Sequence, residues 1–175
     1  MSWTLDFLAV LYILFLGYNG FNKGLIEEIG QLFGLILATS LSISKSASLS
    51  IKLSSMFSLD NWLSTFIAFA FIFSVTLLLT RFFITMLHIS LLSGGNKLVN
   101  SLLGFIFGLI KGSFIIIVFV WFIALLPLYK WANFIEKNSI LIQYGNQYRE
   151  AVVTFFNWDD PVSFGESYIK EMTQP

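Results

Sequence analysis

Four ionisable side chains lie inside long apolar stretches of the sequence, namely Asp6, Glu27, Glu28 and Lys111. A charge in the hydrocarbon of a bilayer is costly, so such residues are candidates for a functional site. Carboxylates and an ammonium group in that setting can pair with each other, bind a polar group of a partner, or line a path for ions. This chemistry requires that the apolar stretches span a membrane.

Lys111 is the residue for which a partner matters most. If the core of its apolar segment begins near Phe105, Lys111 lies about 9 Å deep at ~1.5 Å per residue. Glu27 and Glu28 come near the start of another segment that begins on the same side, so either carboxylate can pair with Lys111. Alternatively, Lys111 snorkels to the headgroups without a carboxylate partner, and the two readings stay open. Asp6 lies towards the opposite face, where it caps the first helix or lies at the interface.

Other chemistries have little support among the residue types. The chain has no Cys, which excludes disulfides and thiol catalysis, and its one histidine, His88, cannot form a multi-histidine metal site. The sequence contains no phosphate-binding loop, dinucleotide fingerprint or metalloprotease motif. We therefore predict no catalytic residues, no cofactor and no metal, and a protein that is not an enzyme.

The composition indicates a membrane protein. Of the 175 residues, 57% are apolar and only 11% are charged, and the mean hydropathy is +0.81. A soluble domain has about 45–50% apolar and about 25% charged residues, so this chain has too little polar surface to cover a core. Ten basic residues balance ten acidic ones, and we expect the lipid bilayer rather than nucleic acid as a partner.

Four segments are long and apolar enough for transmembrane helices, since a span needs roughly 20 such residues. They cover residues 3–20, 24–44, 61–80 and 101–126. The first segment lacks the basic residues and cleavage site of a signal peptide, so we expect it to be retained. The predicted fold class is an all-α membrane protein, with a four-helix transmembrane domain over residues 1–127.

The remaining residues, 128–175, are predicted to form an amphipathic and polar tail. Apolar residues recur there at helical spacing and predict one short amphipathic helix; they are Tyr144, Tyr148, Val152, Phe155 and Phe156.

Two stretches between the predicted spans have patterns of their own. Residues 40–50 alternate serine with another residue, which fits a strand or a helix. An open strand edge beside lipid leaves backbone groups unpaired, so a helix is favoured. After Thr80, polar side chains recur on one helical face at Arg81, Thr85 and His88, which predicts that the third helix continues as an amphipathic extension.

Small residues recur every fourth position in two of the predicted helices. They are Gly30, Gly34 and Ala38 in the second helix and Gly104, Gly108 and Gly112 in the fourth. Such ridges let helix backbones approach closely in lipid. We expect the second helix to pack on the fourth through them, and a contact between two copies of the chain is the alternative.

Two segments resemble the signatures of a known family. Asp6 followed by GFNKGLIEE at residues 20–28 resembles the glycine–basic–glutamate turn of the colicin V production protein family (CvpA). LSGGNKL at residues 92–98 and GFIFGLIKG at residues 104–112 resemble its second signature, and Ser139 resembles a serine-containing segment that follows. The resemblance covers about residues 3–126. Asn22 departs from it, because a second basic residue is common at that position.

The resemblance implies a multi-pass protein of the bacterial inner membrane, linked to production of a secreted peptide toxin and to envelope physiology. Our first hypothesis is a non-enzymatic scaffold or accessory protein that contacts a membrane-protein partner, or a second copy of itself, through the glycine faces and the Glu27/Glu28–Lys111 region. The alternative is a small channel or transporter subunit with a polar path near Glu28 and Lys111. Basic residues divide almost evenly between the two sides, so the orientation stays open.

Overall fold

Five long helices make up most of the chain. The computed structural model describes residues 2–91, 97–126, 134–135, 137–160 and 162–163, with side chains described for residues 6–84 of the first range. The helices are α1 (Ser2–Lys23), α2 (Leu25–Phe57), α3 (Asn61–Leu91), α4 (Lys97–Ala124) and α5 (Ile140–Phe156). The predicted all-α fold class is confirmed for these residues.

Within the described part of the chain, three helical segments are long and apolar enough to cross a membrane: Leu25–Phe57, Asn61–Ile84 and Lys97–Ala124. They agree with the second, third and fourth predicted spans. α1 is not in this set, and its side chains are described only from Asp6 onwards. A membrane crossing by α1 therefore stays a prediction.

α2 and α3 continue beyond the predicted spans to Phe57 and Leu91, as the expected helical extensions after residues 44 and 80 require. The side chains of Thr85 and His88 lie outside the described residues, so the amphipathic character of the α3 extension stays a prediction.

The serine-rich stretch belongs to α2, so its alternation does not mark a strand. Side-chain hydroxyls along this helix donate to carbonyls one turn earlier, as Ser42 Oγ does to the Ala38 carbonyl at 2.7 Å. Hydroxyl groups satisfied in this way can be buried within a helix pair.

α1 and α4 pack antiparallel, with glycines on both sides of the contact. A Cβ added to Gly108 of α4 would lie 3.0 Å from the Cα of Gly17. A Cβ added to Gly104 would meet the carbonyl of Gly20 and would lie 2.8 Å from the Cα of Gly24. The paired positions move in opposite directions along the two helices: Gly20 with Gly104, Gly17 with Gly108, and Ile13 with Gly112.

α2 and α3 form the second antiparallel pair. Gly30 lies against the side chain of Ile84, and Gly34 against that of Thr80. Near the other end of the pair, Thr65 Oγ1 donates to Ser50 Oγ at 3.3 Å. Between these contacts the small residues of α2 are buried, namely Ala38, Ser42 and Ser46.

The prediction that the two small-residue ridges pack on each other was wrong. The ridge of α4 packs on α1, and the ridge of α2 packs on α3. α1 contributes glycines of its own to this contact, Gly17 and Gly20. α2 and α3 are joined by three residues, 58–60, and their proximity in the chain favours an antiparallel pair.

A single residue, Gly24, separates α1 from α2. Its φ of 87° lies in the region that side-chain-bearing residues rarely adopt. Its N–H donates to the Gly20 carbonyl at 2.8 Å, and a Cβ at this position would meet the side chain of Asn100 in α4. Glycine at position 24 therefore permits both the sharp turn and the close approach of α4.

Aromatic side chains close the bundle at the end where α3 begins and α4 ends. Phe122 of α4 meets Phe69 and Phe73 of α3 edge to face, with ring centroids 4.9 and 5.2 Å apart. Val162, after α5, is buried in the same cluster. Val162 thus completes the core at this end of α3 and α4.

The outer surface of the helices is apolar and exposed, as expected for a protein surrounded by lipid. Large side chains on α1 to α4 are more than half exposed, including Phe15, Phe33, Phe71, Leu78, Phe82 and Phe119. Contiguous apolar surface of this kind marks contact with a membrane or a partner. The fold therefore supports a membrane protein.

Adding one methyl group at Gly104 should separate α1 from α4. We expect Gly104→Ala to destabilise the protein by about 1–3 kcal/mol, because the new Cβ would meet backbone rather than a flexible side chain. Ile106→Ala, at an exposed position of the same helix, is the matched control. Unfolding of the purified protein in detergent measures both, and equal stabilities would contradict the packing.

Candidate functional site

The polar centre of the bundle is an ion pair between α2 and α4. Lys111 Nζ lies 2.5 Å from Glu28 Oε2, and the two side chains are 7% and 0% exposed. The structure therefore pairs Lys111 with Glu28 rather than with Glu27, and Lys111 does not snorkel away from the bundle. Of the two readings left open by the sequence, the structure shows the ion pair.

The ion pair continues as a chain of polar contacts towards the outside of the bundle. Lys111 Nζ donates to Gln31 Oε1 at 2.9 Å, and Gln31 Nε2 donates to Glu27 Oε1 at 2.8 Å. Glu27 Oε1 lies 3.5 Å from Lys23 Nζ, whose side chain is 37% exposed. We call these five residues, Glu28, Lys111, Gln31, Glu27 and Lys23, the polar chain.

Local sequence explains why α2 presents these groups together. Glu27 and Gln31 are four residues apart and share one helix face, while Glu28 projects from the neighbouring face towards α4. Two carboxylates in the first turn are also favoured by the helix dipole. The Leu25 N–H donates to Asn100 Oδ1 at 3.1 Å, so α4 holds the beginning of α2 in place.

Lys111 reaches the N-terminal end of α2 because its side chain points towards the N-terminus of α4. Side chains on a helix lean towards the helix N-terminus, and both α2 and α4 begin at this end of the bundle. The extended lysine side chain therefore points towards Glu28 and Gln31. Glycines on both sides of Lys111, at positions 108 and 112, keep α4 close to α1 over the same stretch.

Burial makes the ion pair energetically demanding. Taking two charges out of water costs several kcal/mol for each ion, and only close contact and further hydrogen bonds offset that cost. Gln31 provides such a bond to Lys111, but Glu28 Oε1 has no hydrogen-bond partner among the described residues. The pair is therefore a feature that the rest of the bundle must stabilise.

The polar chain forms one side of a cavity of about 560 Å³ among α1, α2, α3 and α4. Lys111, Gln31 and Lys23 line it, together with Arg81 and Thr80 of α3. We call it the Lys111 cavity. Lys111 thus faces both its carboxylate partner and an open space.

Asp6 lies at the opposite end of the bundle from Glu28. Its Oδ1 accepts a hydrogen bond of 2.8 Å from Ser139 Oγ, and Ser139 is 4% exposed. Asp6 is outside the first turn of α1, so the expectation that it caps this helix was wrong. It connects α1 instead to the segment just before α5.

A second buried charge was missed in the sequence. Arg149 of α5 is 5% exposed, and its Nε lies 3.2 Å from Asp160 Oδ2. Its guanidinium lies over the ring of Trp121, whose indole N–H donates to Asn146 at 2.9 Å. From the sequence alone, a polar residue on an amphipathic helix is expected to face solvent. The fold instead brings Trp121 and Asp160 into contact with Arg149.

The model of the family described as colicin V production protein matches residues 5–149 of the chain. The chain belongs to this family. The matched part contains the whole polar chain and both partners of the Asp6–Ser139 hydrogen bond, and it ends at Arg149, so Asp160 lies outside it. Residues 92–96, part of the second signature, lie outside the described residues. No significant match was found among curated proteins or among solved structures.

Removing one partner of the ion pair should be worse than removing both. In this colicin V production family protein, we expect Glu28→Gln or Lys111→Met alone to destabilise the fold by about 3–5 kcal/mol, because each leaves a buried charge uncompensated. The double variant, with no charge at either position, should recover most of that loss. Unfolding in detergent measures the three free energies.

The matched control is the outer ion pair of the same polar chain. Lys23→Gln should change stability by only about 0–1 kcal/mol, since its contact with Glu27 is partly exposed. Strictly additive losses in the Glu28/Lys111 double variant would contradict a coupled buried pair.

Proposed function

We propose that this chain is a multi-pass protein of the bacterial inner membrane that assists production or export of a colicin V-type peptide as a non-enzymatic accessory protein. Membership of the colicin V production family and three apolar helices of spanning length support this proposal. In it, α1 also crosses the membrane, which gives four spans, since α1 packs on α4 from Ile13 to the turn at Gly24.

The observation that carries the proposal is that the Glu28–Lys111 pair borders an open cavity. An ion pair with only a structural role can be enclosed by packed side chains, whereas Lys111 and Gln31 line the Lys111 cavity. A polar group of a partner can therefore approach them. The glycine faces are engaged inside the chain, so this region, rather than the ridges, is the proposed contact site.

A transport subunit is the second candidate, favoured by the polar chain itself. Its contacts connect the fully buried Glu28 with the partly exposed Lys23 through Lys111, Gln31 and Glu27. A continuous series of polar groups in an apolar bundle is a feature of substrate and ion pathways. The two candidates differ in whether the isolated protein moves a solute.

Labelling of single cysteines tests the four-span arrangement, because the chain has no Cys and each introduced thiol is unique. If α1 crosses the membrane, Ser2→Cys and Ser58→Cys react with an impermeant thiol reagent from one side. Asn22→Cys reacts from the other side. Labelling of positions 2 and 22 from the same side would show that α1 does not span.

Loss of charge at the polar chain should impair toxin production. We expect the Glu28→Gln/Lys111→Met double variant to accumulate normally in the membrane, because its buried site is neutral, and to lower secretion of a colicin V-type peptide about tenfold or more. Lys52→Gln, an exposed position on α2, is the matched control. Secreted activity is measured at equal membrane protein levels.

Reconstitution of the parent protein and of Lys111→Leu separates the two candidates. For an accessory protein, reconstituted vesicles show no flux of ions or peptide with either the parent or Lys111→Leu. Flux through the parent that is absent from Lys111→Leu would favour the transport subunit. Normal secretion by the double variant at normal protein levels would contradict a role for the polar chain in either function.

A further inference from the structure

The Lys111 cavity has a marked division between polar and apolar lining. Its cationic residues come from three helices, Lys23 on α1, Arg81 on α3 and Lys111 on α4. Glu27 and Glu28, which pair with the two lysines, do not belong to its lining. The charged groups that the described structure presents to the cavity are therefore all positive.

Hydrogen-bond donors and acceptors lie beside these cations. Gln31, Ser74 and Thr80 line the same space. The ammonium group of Lys111 has three N–H donors, and Glu28 and Gln31 account for two of its contacts. A third donor is thus left for an acceptor in the cavity, and the guanidinium of Arg81 offers the planar donor pattern that matches phosphate.

The rest of the lining is aliphatic and comes from all four helices, with Leu16, Leu35, Leu77 and Ile115 as its main members. A hydrated inorganic anion makes no favourable contact with aliphatic side chains of this kind. A volume of about 560 Å³ also falls in the range of pockets that hold organic ligands, about 300–1,000 Å³. The lining therefore suits a molecule with an anionic head and an apolar chain.

The cavity is accessible from the outer face of the helices. Leu78 and Arg81 of α3 line it and are also exposed on the surface that faces lipid. The Phe122 cluster closes the bundle at the end where α3 begins, whereas Thr80, Arg81 and Ile84 lie towards the other end of that helix. A lipid can therefore enter sideways with its headgroup at the end that carries Lys23 and Arg81.

We propose that the Lys111 cavity binds an anionic phospholipid, whose phosphate contacts Lys23, Arg81 and Lys111 and whose first acyl segment lies against the leucines and Ile115. This binding does not depend on the proposed role in toxin production. The bound lipid places a negative charge beside the polar chain.

Retention of lipid by the purified full chain tests the proposal. The protein is reconstituted in nanodiscs of phosphatidylcholine with increasing phosphatidylglycerol, and the lipid that stays bound is counted by native mass spectrometry. We expect one phosphatidylglycerol, retained at least about tenfold more strongly than phosphatidylcholine, because nearby basic residues each add a favourable contribution. Equal retention of the two lipids would overturn the proposal.

Three variants locate the binding. Lys23→Gln/Arg81→Gln should abolish the preference, and Lys52→Gln, an exposed lysine on α2 outside the cavity, should leave it unchanged. Leu77→Trp fills the cavity without changing its charge and should also release the lipid. A preference that survives Leu77→Trp would overturn the cavity as the site, even if the charge variant failed to fold.

Inorganic phosphate is the remaining probe, because it carries the same head chemistry without the acyl chain. We expect phosphate at the same concentration not to displace phosphatidylglycerol. Displacement of the lipid by an equal concentration of phosphate would show that the site binds a free anion and would overturn the proposal of a lipid ligand.

Discussion

A fully buried carboxylate needs a positive partner in contact, and this requirement fixes how α2 meets α4. Glu28 is 0% exposed, and Lys111 is the cation beside it. Breaking such a pair leaves a charge in an apolar medium, a cost comparable with a large part of the stability of a small protein. The beginning of α2 must therefore stay beside α4, as the hydrogen bond from Leu25 to Asn100 also requires.

The two helix pairs follow from this contact. With α2 held against α4 by polar groups, the glycine face of α4 is available to α1, and the small-residue face of α2 is available to α3. Each pair then packs at close distance without a driving force from water, as is typical of helices in lipid. The Lys111 cavity lies among the four helices, so the polar chain borders a space that side chains do not fill.

The sequence predicted the helices and brought Lys111 to the right end of α2, because membrane crossings alternate in direction. It did not decide between Glu27 and Glu28, since neighbouring residues differ by about 100° around a helix and only the packing of α1 and α3 sets the rotation. Glycine spacing showed that α4 packs closely but not on which helix. Asp6 and Ser139 are 133 residues apart, and no periodicity connects positions at that distance.

The order of synthesis gives the polar chain a further consequence. Gln31 and Lys111 are 80 residues apart, so at about 5–20 residues per second Gln31 is made roughly 4–16 s before Lys111. During that interval Glu28 has no lysine partner and the glycine face of α1 has no α4 to pack on. Glu28 can therefore enter the apolar interior with its partner only after α4 has been made. Assembly of this bundle is completed from its C-terminal half, although its acidic groups are made first.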